Sequence, residues 1–272
     1  MLTMTNEIRD QLNIQMKALA AAKNWHGIEE LMMPYSAHIG RCTTRFQLYT
    51  DERFPVLQGG GTDGTYLYFA HMTWVHDGVQ TGIICKYDPE TGELLGKSEE
   101  MPIDHANDIT YNEKKDVLVI THNAPNRSLI SYVNPHTLEY LGTHDIGYDI
   151  YCMSYNEKRD AYIVGKSGGM DFARADAEFA KVADYVSVDT KYVTQGMATD
   201  DDFIYFILHR LPCITKYDWD GNFVEYIPLD RKRDEPENIM FLNGKVYLGF
   251  NVWDKDKKIT APELVEVEVK KS

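Results

Sequence analysis

Short apolar runs recur along the chain at near-constant intervals. Leu67-Tyr68-Phe69, Leu118-Val119-Ile120, Tyr162-Ile163-Val164, Ile204-Tyr205-Phe206 and Val246-Tyr247-Leu248 each centre one such run. A polar turn precedes each of them: TDG, NEKK, NEKR, TDDD and LNG in chain order. Asn, Asp and Gly favour the tight turns of hairpins, so each turn joins two antiparallel strands. Two of the segments are near copies, TYNEKKD (110–116) and SYNEKRD (154–160). They lie within longer parallels that start at Gln58, His105, Tyr148, Gln195 and Pro236, at spacings of 47, 43, 47 and 41 residues. A second hairpin follows. ICKYDPETGELLG (84–96) matches ITKYDWDGNFVEY (214–226), and ISYVNPHTLEYLG (130–142) has the same outline with Leu138 in place of glycine. DFARADAEFAKVA (171–183) is the faintest copy, and LVEVEVK (264–270) gives a last strand.

Four strands per unit at a period of about 40–50 residues predict the blades of an all-β propeller. Five units are present, near 54–101, 102–147, 148–192, 193–235 and 236–271. The fifth has room for only three strands after Pro236, so Cys42–Thr50, CTTRFQLYT, is expected to supply the fourth. An N-terminal strand in the last blade closes the ring and leaves no open sheet edge. NEKKD and NEKRD are then equivalent outer turns with solvated charges.

Ahead of the repeats the period changes. Ile8, Leu12, Met16 and Leu19 recur at helical spacing. Thr5 or Asn6 can cap this helix, with Glu7 in its first turn. Gly27 is expected to break it, IEELMM to form a further turn, and Pro34 to stop that turn. Residues 1–36 thus form a helical extension and 37–272 the propeller. The stripe is expected to dock on the propeller; a homodimer contact is the alternative.

Composition narrows the chemistry. The formal charge of −14 repels phosphate backbones, which argues against nucleic acid as a partner. The four cysteines, at 42, 85, 152 and 213, form no C-x-x-C pair and no zinc spacing, and read as buried thiols of a reducing compartment. No run reaches the roughly 20 apolar residues of a membrane span. The first residues have neither the basic start nor the apolar stretch of a secretory signal, so a cytoplasmic location is expected. H-E-x-x-H does not occur, and Gly59–Gly61 precede a hairpin, not a helix, so they cradle no phosphate.

The repeat itself points to a site. In a propeller, the start of each first strand and the end of each second strand converge on one mouth of the central channel. The first-strand starts supply Gln58, His105, Asn107, Asp108, Asp149, Tyr151, Gln195, Glu237 and Asn238. The second-strand ends supply His71, His122, Asn123, Lys166, His209, Arg210, Asn251 and Trp253. Convergent polar groups in a concave site predict a small polar ligand, a sugar or short peptide, with Tyr151 and Trp253 stacking on it. Glu237 or His105 can act as acid or base, with Lys166 or Arg210 orienting an anionic or carbonyl group. Asn107, Asp108, Asp149 and Glu237, with Asn238, offer an oxygen shell suited to calcium or another divalent cation. Against these readings, polar channel residues also hold water and loop backbone, and Glu235 reads as a solvated loop residue. A scaffold whose outer faces bind a protein is a further alternative.

Gln58-Gly59 in FPVLQG and Gln195-Gly196 in VTQG resemble the blade openings of the five-bladed glutaminyl cyclotransferase-type propellers of bacteria and plants. The resemblance covers residues 37–271 as architecture. It implies a five-bladed ring and cyclisation of N-terminal glutamine in a channel pocket by a carboxylate, whose place here falls to Glu237. The family's aromatic–glycine signature in a middle blade is replaced by YDIYCM (148–153). HAND (105–108) and PEN (236–238) are also similar to channel residues of calcium-dependent lactonase-type propellers, which have six blades.

Overall fold

The computed structural model describes residues 1–75, 80–166, 170–254 and 259–271. Five four-stranded antiparallel sheets surround one axis. Blade one comprises β2 (Val56–Thr62), β3 (Leu67–Met72), β4 (Gly82–Tyr87) and β5 (Leu94–Lys97). Blade two holds β6 (Asp108–Asn112), β7 (Val117–Thr121), β8 (Leu129–Val133) and β9 (Tyr140–Asp145). Blade three holds β10 (Ile150–Asn156), β11 (Ala161–Lys166), β12 (Phe172–Asp176) and β13 (Lys181–Tyr185). Blade four holds β14 (Val193–Thr199), β15 (Phe203–His209), β16 (Cys213–Asp218) and β17 (Phe223–Pro228).

Blade five runs β18 (Glu235–Leu242), β19 (Lys245–Asn251) and β22 (Glu263–Lys271), then takes β1 (His38–Gln47) from the other end of the chain. A short hairpin, β20 (Trp253–Asp254) with β21 (Ile259–Thr260), is inserted before β22. The closing strand pairs from His38↔Lys271 to Gln47↔Glu263, with a bulge between Thr44 and Phe46. It therefore begins four residues ahead of the expected Cys42. Leu48 to Thr50 instead lead the chain toward blade one, where Tyr49 N–H donates to the Tyr87 hydroxyl at 2.7 Å. The first strands β2, β6, β10, β14 and β18 contact one another cyclically and line the channel.

The near-copies have a shared mechanical reason. Asn112 Oδ1 accepts the Lys115 N–H at 2.9 Å, and Asn156 Oδ1 accepts that of Arg159 at 3.0 Å. Asp116 and Asp160 close the two turns at φ 51° and 47°. Each also accepts the hydroxyl of the tyrosine five residues back, Tyr111 at 2.8 Å and Tyr155 at 2.7 Å. These turns join first to second strands, so they rim the far mouth of the channel and not the outer edge of the ring. Their lysines are not merely solvated. Lys114 reaches Asp160 and Lys158 reaches Asp201, each at 2.8 Å, tying neighbouring blades.

The core is distributed as one apolar cluster between each pair of adjacent blades. Tyr68 and Ile84 of blade one, for example, pack on Ile109, Leu118 and Ile120 of blade two. The cluster between blades three and four is the largest because the N-terminal helices join it. Helix α1 (Asn6–Ala21) is capped by Thr5, whose hydroxyl accepts the Ile8 N–H at 3.3 Å. It ends where Lys23 takes φ 55°, ahead of the expected break at Gly27. Gly27 instead lies inside α2 (Trp25–Met32), where a Cβ would meet the capping Asn24 amide at 2.7 Å. Pro34 falls in the single 3₁₀ turn, Met33–Tyr35, that ends the extension. Leu12, Met16, Ile28 and Met32 are buried against Met170, Val188, Tyr192 and Leu211. Asn13 fixes the dock, donating to Ser187 O at 3.1 Å and accepting from Asp189 N–H at 2.8 Å. Among the described residues no helix is long and apolar enough to cross a membrane.

Candidate functional site

One device is repeated in the first strands. In β10, β14 and β18 the pairing with the second strand skips one residue, namely Tyr151, Gln195 and Glu237. In β2 the irregularity falls at Gln58-Gly59. A bulge re-aims the extra side chain and is common at sites. Here Gln58, Tyr151, Gln195 and Glu237, from four blades, all line one cavity of about 830 Å³ at the channel mouth. His105, His209, Glu235, Asn251 and Trp74 complete much of its wall.

In blades one, two, four and five the next residue forms the floor. Asp108 and Asn238 fill it, and Gly59 and Gly196 make room for them. A Cβ on Gly59 would stand 2.6 Å from Ala106 O and 2.8 Å from the Asp108 backbone. One on Gly196 would lie 3.0 Å from Asn238 Cα. This is the physical content of the two Gln-Gly pairs: glutamine faces the mouth, and glycine yields to the floor. Asp108 accepts N–H bonds from Ile109 (3.0 Å), Met153 (3.2 Å) and Met197 (3.1 Å), which staples three blades. Asn238 donates to Gln58 O at 2.8 Å and accepts from Gly249 N–H at 2.9 Å.

A hydrogen-bonded chain crosses the mouth. Asn251 Nδ2 donates to Glu237 Oε1 at 2.6 Å and to Leu57 O at 2.8 Å. Gln195 Nε2 donates to Glu235 Oε1 at 2.8 Å and to Glu237 Oε2 at 3.3 Å. Tyr151 approaches Gln195 Oε1 at 3.5 Å. Glu237 is only 3% exposed. Burial, then the neighbouring Glu235 charge, push its carboxyl well above the usual range, and the Asn251 bond only partly offsets them. His105 Nδ1 lies 2.7 Å from Gln80 Oε1, and Gln80 Nε2 donates to Thr73 O at 2.7 Å. That second bond fixes the amide, so Nδ1 carries the hydrogen and Nε2 keeps its lone pair. Burial lowers the His105 pKa, which favours this neutral form. His209 is also lowered, by burial first, against the raising effect of Glu235 3.9 Å away.

Several expected site residues are placed elsewhere. His71 pairs with Leu57, one step short of the position held by His209, which pairs with Val193 beyond the bulge. A one-residue slip reverses a strand side chain, and His71 is buried edge-on to Tyr49 at 5.8 Å. Burial drives its pKa to about 3, so it is neutral. His122 turns into its own blade, with Nε2 2.8 Å from Ser131 Oγ and its pKa lowered by burial to about 4. Asn107, the blade-two counterpart of the bulge residues, donates to His122 O at 3.1 Å and does not line the mouth. Asn123 accepts from Ala124 N–H at 2.8 Å and Arg127 Nε at 3.1 Å. Arg210 is exposed and lies over the Trp25 ring at 5.2 Å. Lys166 pairs with Asp184 at 2.7 Å beside an adjoining pocket. The side chain of Trp253 lies outside the described residues.

The expected calcium shell is not assembled. Both Asp108 oxygens accept backbone N–H groups, Asn107 is tied to its own blade, and Asp149 is exposed. Among the described residues no group of three or more His, Cys, Asp or Glu is placed to hold a metal.

Sequence reasoning missed Trp74, and it left Glu235 open between sharing a strand face with Glu237 and being a solvated loop residue. Trp74 is 56% exposed on the cavity wall. Its signal was its place two residues after the end of β3, where the chain passes the mouth. Glu235 opens β18 beside the bulge and so faces inward.

No protein-family profile matches the chain, and no curated protein matches it. Among solved structures it is similar to the tail fibre of Staphylococcus aureus phage P68, with TM-score 0.62 and 14% identity over 83% of this chain. The chain spans about half of that fibre chain, 52%. It is also similar to Kuenenia stuttgartiensis hydrazine synthase (TM-score 0.46, 12% identity, 82% of this chain and 68% of that one). A third is the WD40-repeat structure of RRP9 (TM-score 0.47, 10% identity, 83% and 97%). At these identities the likeness to the fibre speaks for the fold alone: the chain is a five-bladed β-propeller closed by its own N-terminal strand.

Proposed function

We propose that the mouth of the channel binds a small polar ligand, a sugar in the first instance and a short peptide in the second. The observation that carries this reading is the convergence of bulge side chains from four blades on one cavity of about 830 Å³. Amides of Gln58, Gln195 and Asn251 and the carboxyls of Glu235 and Glu237 suit vicinal hydroxyls, which donate and accept at once. The exposed Trp74 offers an apolar face for the ring of the ligand.

A second reading is acid–base catalysis. It is favoured by Glu237, a buried carboxyl with a raised pKa that shares the Gln195 amide nitrogen with Glu235. A raised pKa keeps the Glu237 proton in place where an ordinary carboxyl has lost it. That state fits a glutaminyl cyclotransferase-like or hydrolytic reaction. The test is calorimetric titration with neutral saccharides and Gln-initiated peptides, followed by mass analysis of the same samples. Saturable binding weakened about 10-fold or more by Glu237→Gln or Trp74→Ala supports the site. Unchanged binding in both variants moves it elsewhere, and a mass change abolished by Glu237→Gln selects catalysis.

A further inference from the structure

A second pocket, of about 300 Å³, adjoins the mouth and shares Tyr151 and Val193 with it. Its character is opposite. In a chain of net charge −14, three cations from three separate segments meet here: Arg127 after β7, Lys166 at the end of β11, and Lys191 before β14. Asp189 is the one acid on its wall among the described residues, and it is engaged by Lys191, through both the side chain and the 3.1 Å backbone N–H bond. Lys166 is held by Asp184, which is 65% exposed, so a ligand anion can compete for it. Arg127 stands at 5.7 Å over the ring of Tyr151, which lines both cavities. The Thr194 hydroxyl, also on the wall, is covered and has no hydrogen-bond partner among the described residues.

We infer that this pocket takes an anionic group, a carboxylate or phosphate, belonging to the ligand whose polar body occupies the mouth. The inference rests on the mouth reading and sharpens it: the ligand is an acidic sugar rather than a neutral one. The cations supply attraction, and Tyr151 and Val193 the passage between the two halves. Glu235 disfavours a carboxylate beside it in the mouth, which helps to orient an asymmetric ligand.

The experiment titrates the full chain with glucose, galactose, glucuronate, galacturonate and inorganic phosphate, and repeats this for Lys166→Gln/Lys191→Gln. Thermal unfolding confirms that the double variant is folded. The expected result is that a uronate binds at least about 10-fold tighter than its neutral counterpart. The double variant abolishes that preference, and the neutral sugar is unaffected. Equal binding of acid and neutral sugars, or a preference that survives the double variant, overturns the inference while leaving the mouth site standing. Phosphate binding that is lost in the double variant, without any sugar binding, supports the anion pocket and counts against the mouth reading. Absence of all binding overturns both.

Discussion

Glu237 is a carboxyl held almost out of water, and its stability effect has a definite sign. Its folded pKa lies above the ordinary value of 4.5, because burial and Glu235 disfavour the anion. The folded state therefore holds this proton more tightly than the unfolded chain. Stability is full below the unfolded pKa and declines as pH rises from there toward the folded pKa. Glu237→Gln removes the titration. The melting temperature of the variant relative to wild type is thus expected to rise between pH 5 and pH 8; a fall contradicts the assignment. His71 and His122, neutral by burial, leave any ligand affinity unchanged when replaced by Gln, with stability the only property affected. At this scale the repeat made Gln58, Tyr151, Gln195 and Glu237 legible, because equivalent positions of a ring must converge. His71 misled because matching it to His209 slipped the register by one, and a strand gives opposite faces to neighbours.

The element that builds the site is the bulged first strand with its floor residue. Gly59→Ala drives a Cβ into the Ala106 and Asp108 backbone, and rigid neighbours make that destabilising by about 1–3 kcal/mol. Gly196→Ala meets its nearest atoms at 3.0 Å or more and is expected to be the milder of the two. Asp108→Asn turns an N–H donor toward one of three backbone donors, with a loss of about 1–3 kcal/mol. Urea denaturation of the three variants ranks these effects; wild-type midpoints for Gly59→Ala and Asp108→Asn contradict the floor as described. Turns were legible, since Asp63, Asn112, Asn156 and Asp200 bond their own backbone wherever they occur. The bulges were not. An apolar alternation of period two gives no sign of one inserted residue, and the floor geometry that demands glycine exists only once five strands meet. The same limit explains Asp108, which looks like a cation ligand in HAND and serves as a staple.

The whole ring depends on its two ends. β1 covers the outer edge of β22, and without it blade five would present an unpaired strand. Removal of residues 1–36 is expected to keep the five sheets but lower stability by several kcal/mol. Leu12, Met16, Ile28 and Met32 each contribute about 1.5–3 kcal/mol by burial, reduced by residual packing in the unfolded chain. Extending the deletion through Gln47 removes the closure, and cooperative unfolding by near-ultraviolet circular dichroism is expected to disappear. A sharp transition in that deletion contradicts the closing role of β1. Blade number and closure were legible because period and strand count each leave one solution, whereas the apolar stripe of the helix called for burial and left its partner open between the propeller and a second copy. The adjoining basic pocket was not, since Arg127, Lys166 and Lys191 share no motif and meet only in space.

The most direct test of the central claim, that bulged strands of four blades build one ligand site, is a nitrogen–proton spectrum of the full chain titrated with the saccharide panel. The side-chain amides of Gln58, Gln195 and Asn251 and the indole of Trp74 should shift together and saturate at one concentration. Saturable shifts confined to residues of the outer strands, with these four signals still, would contradict it.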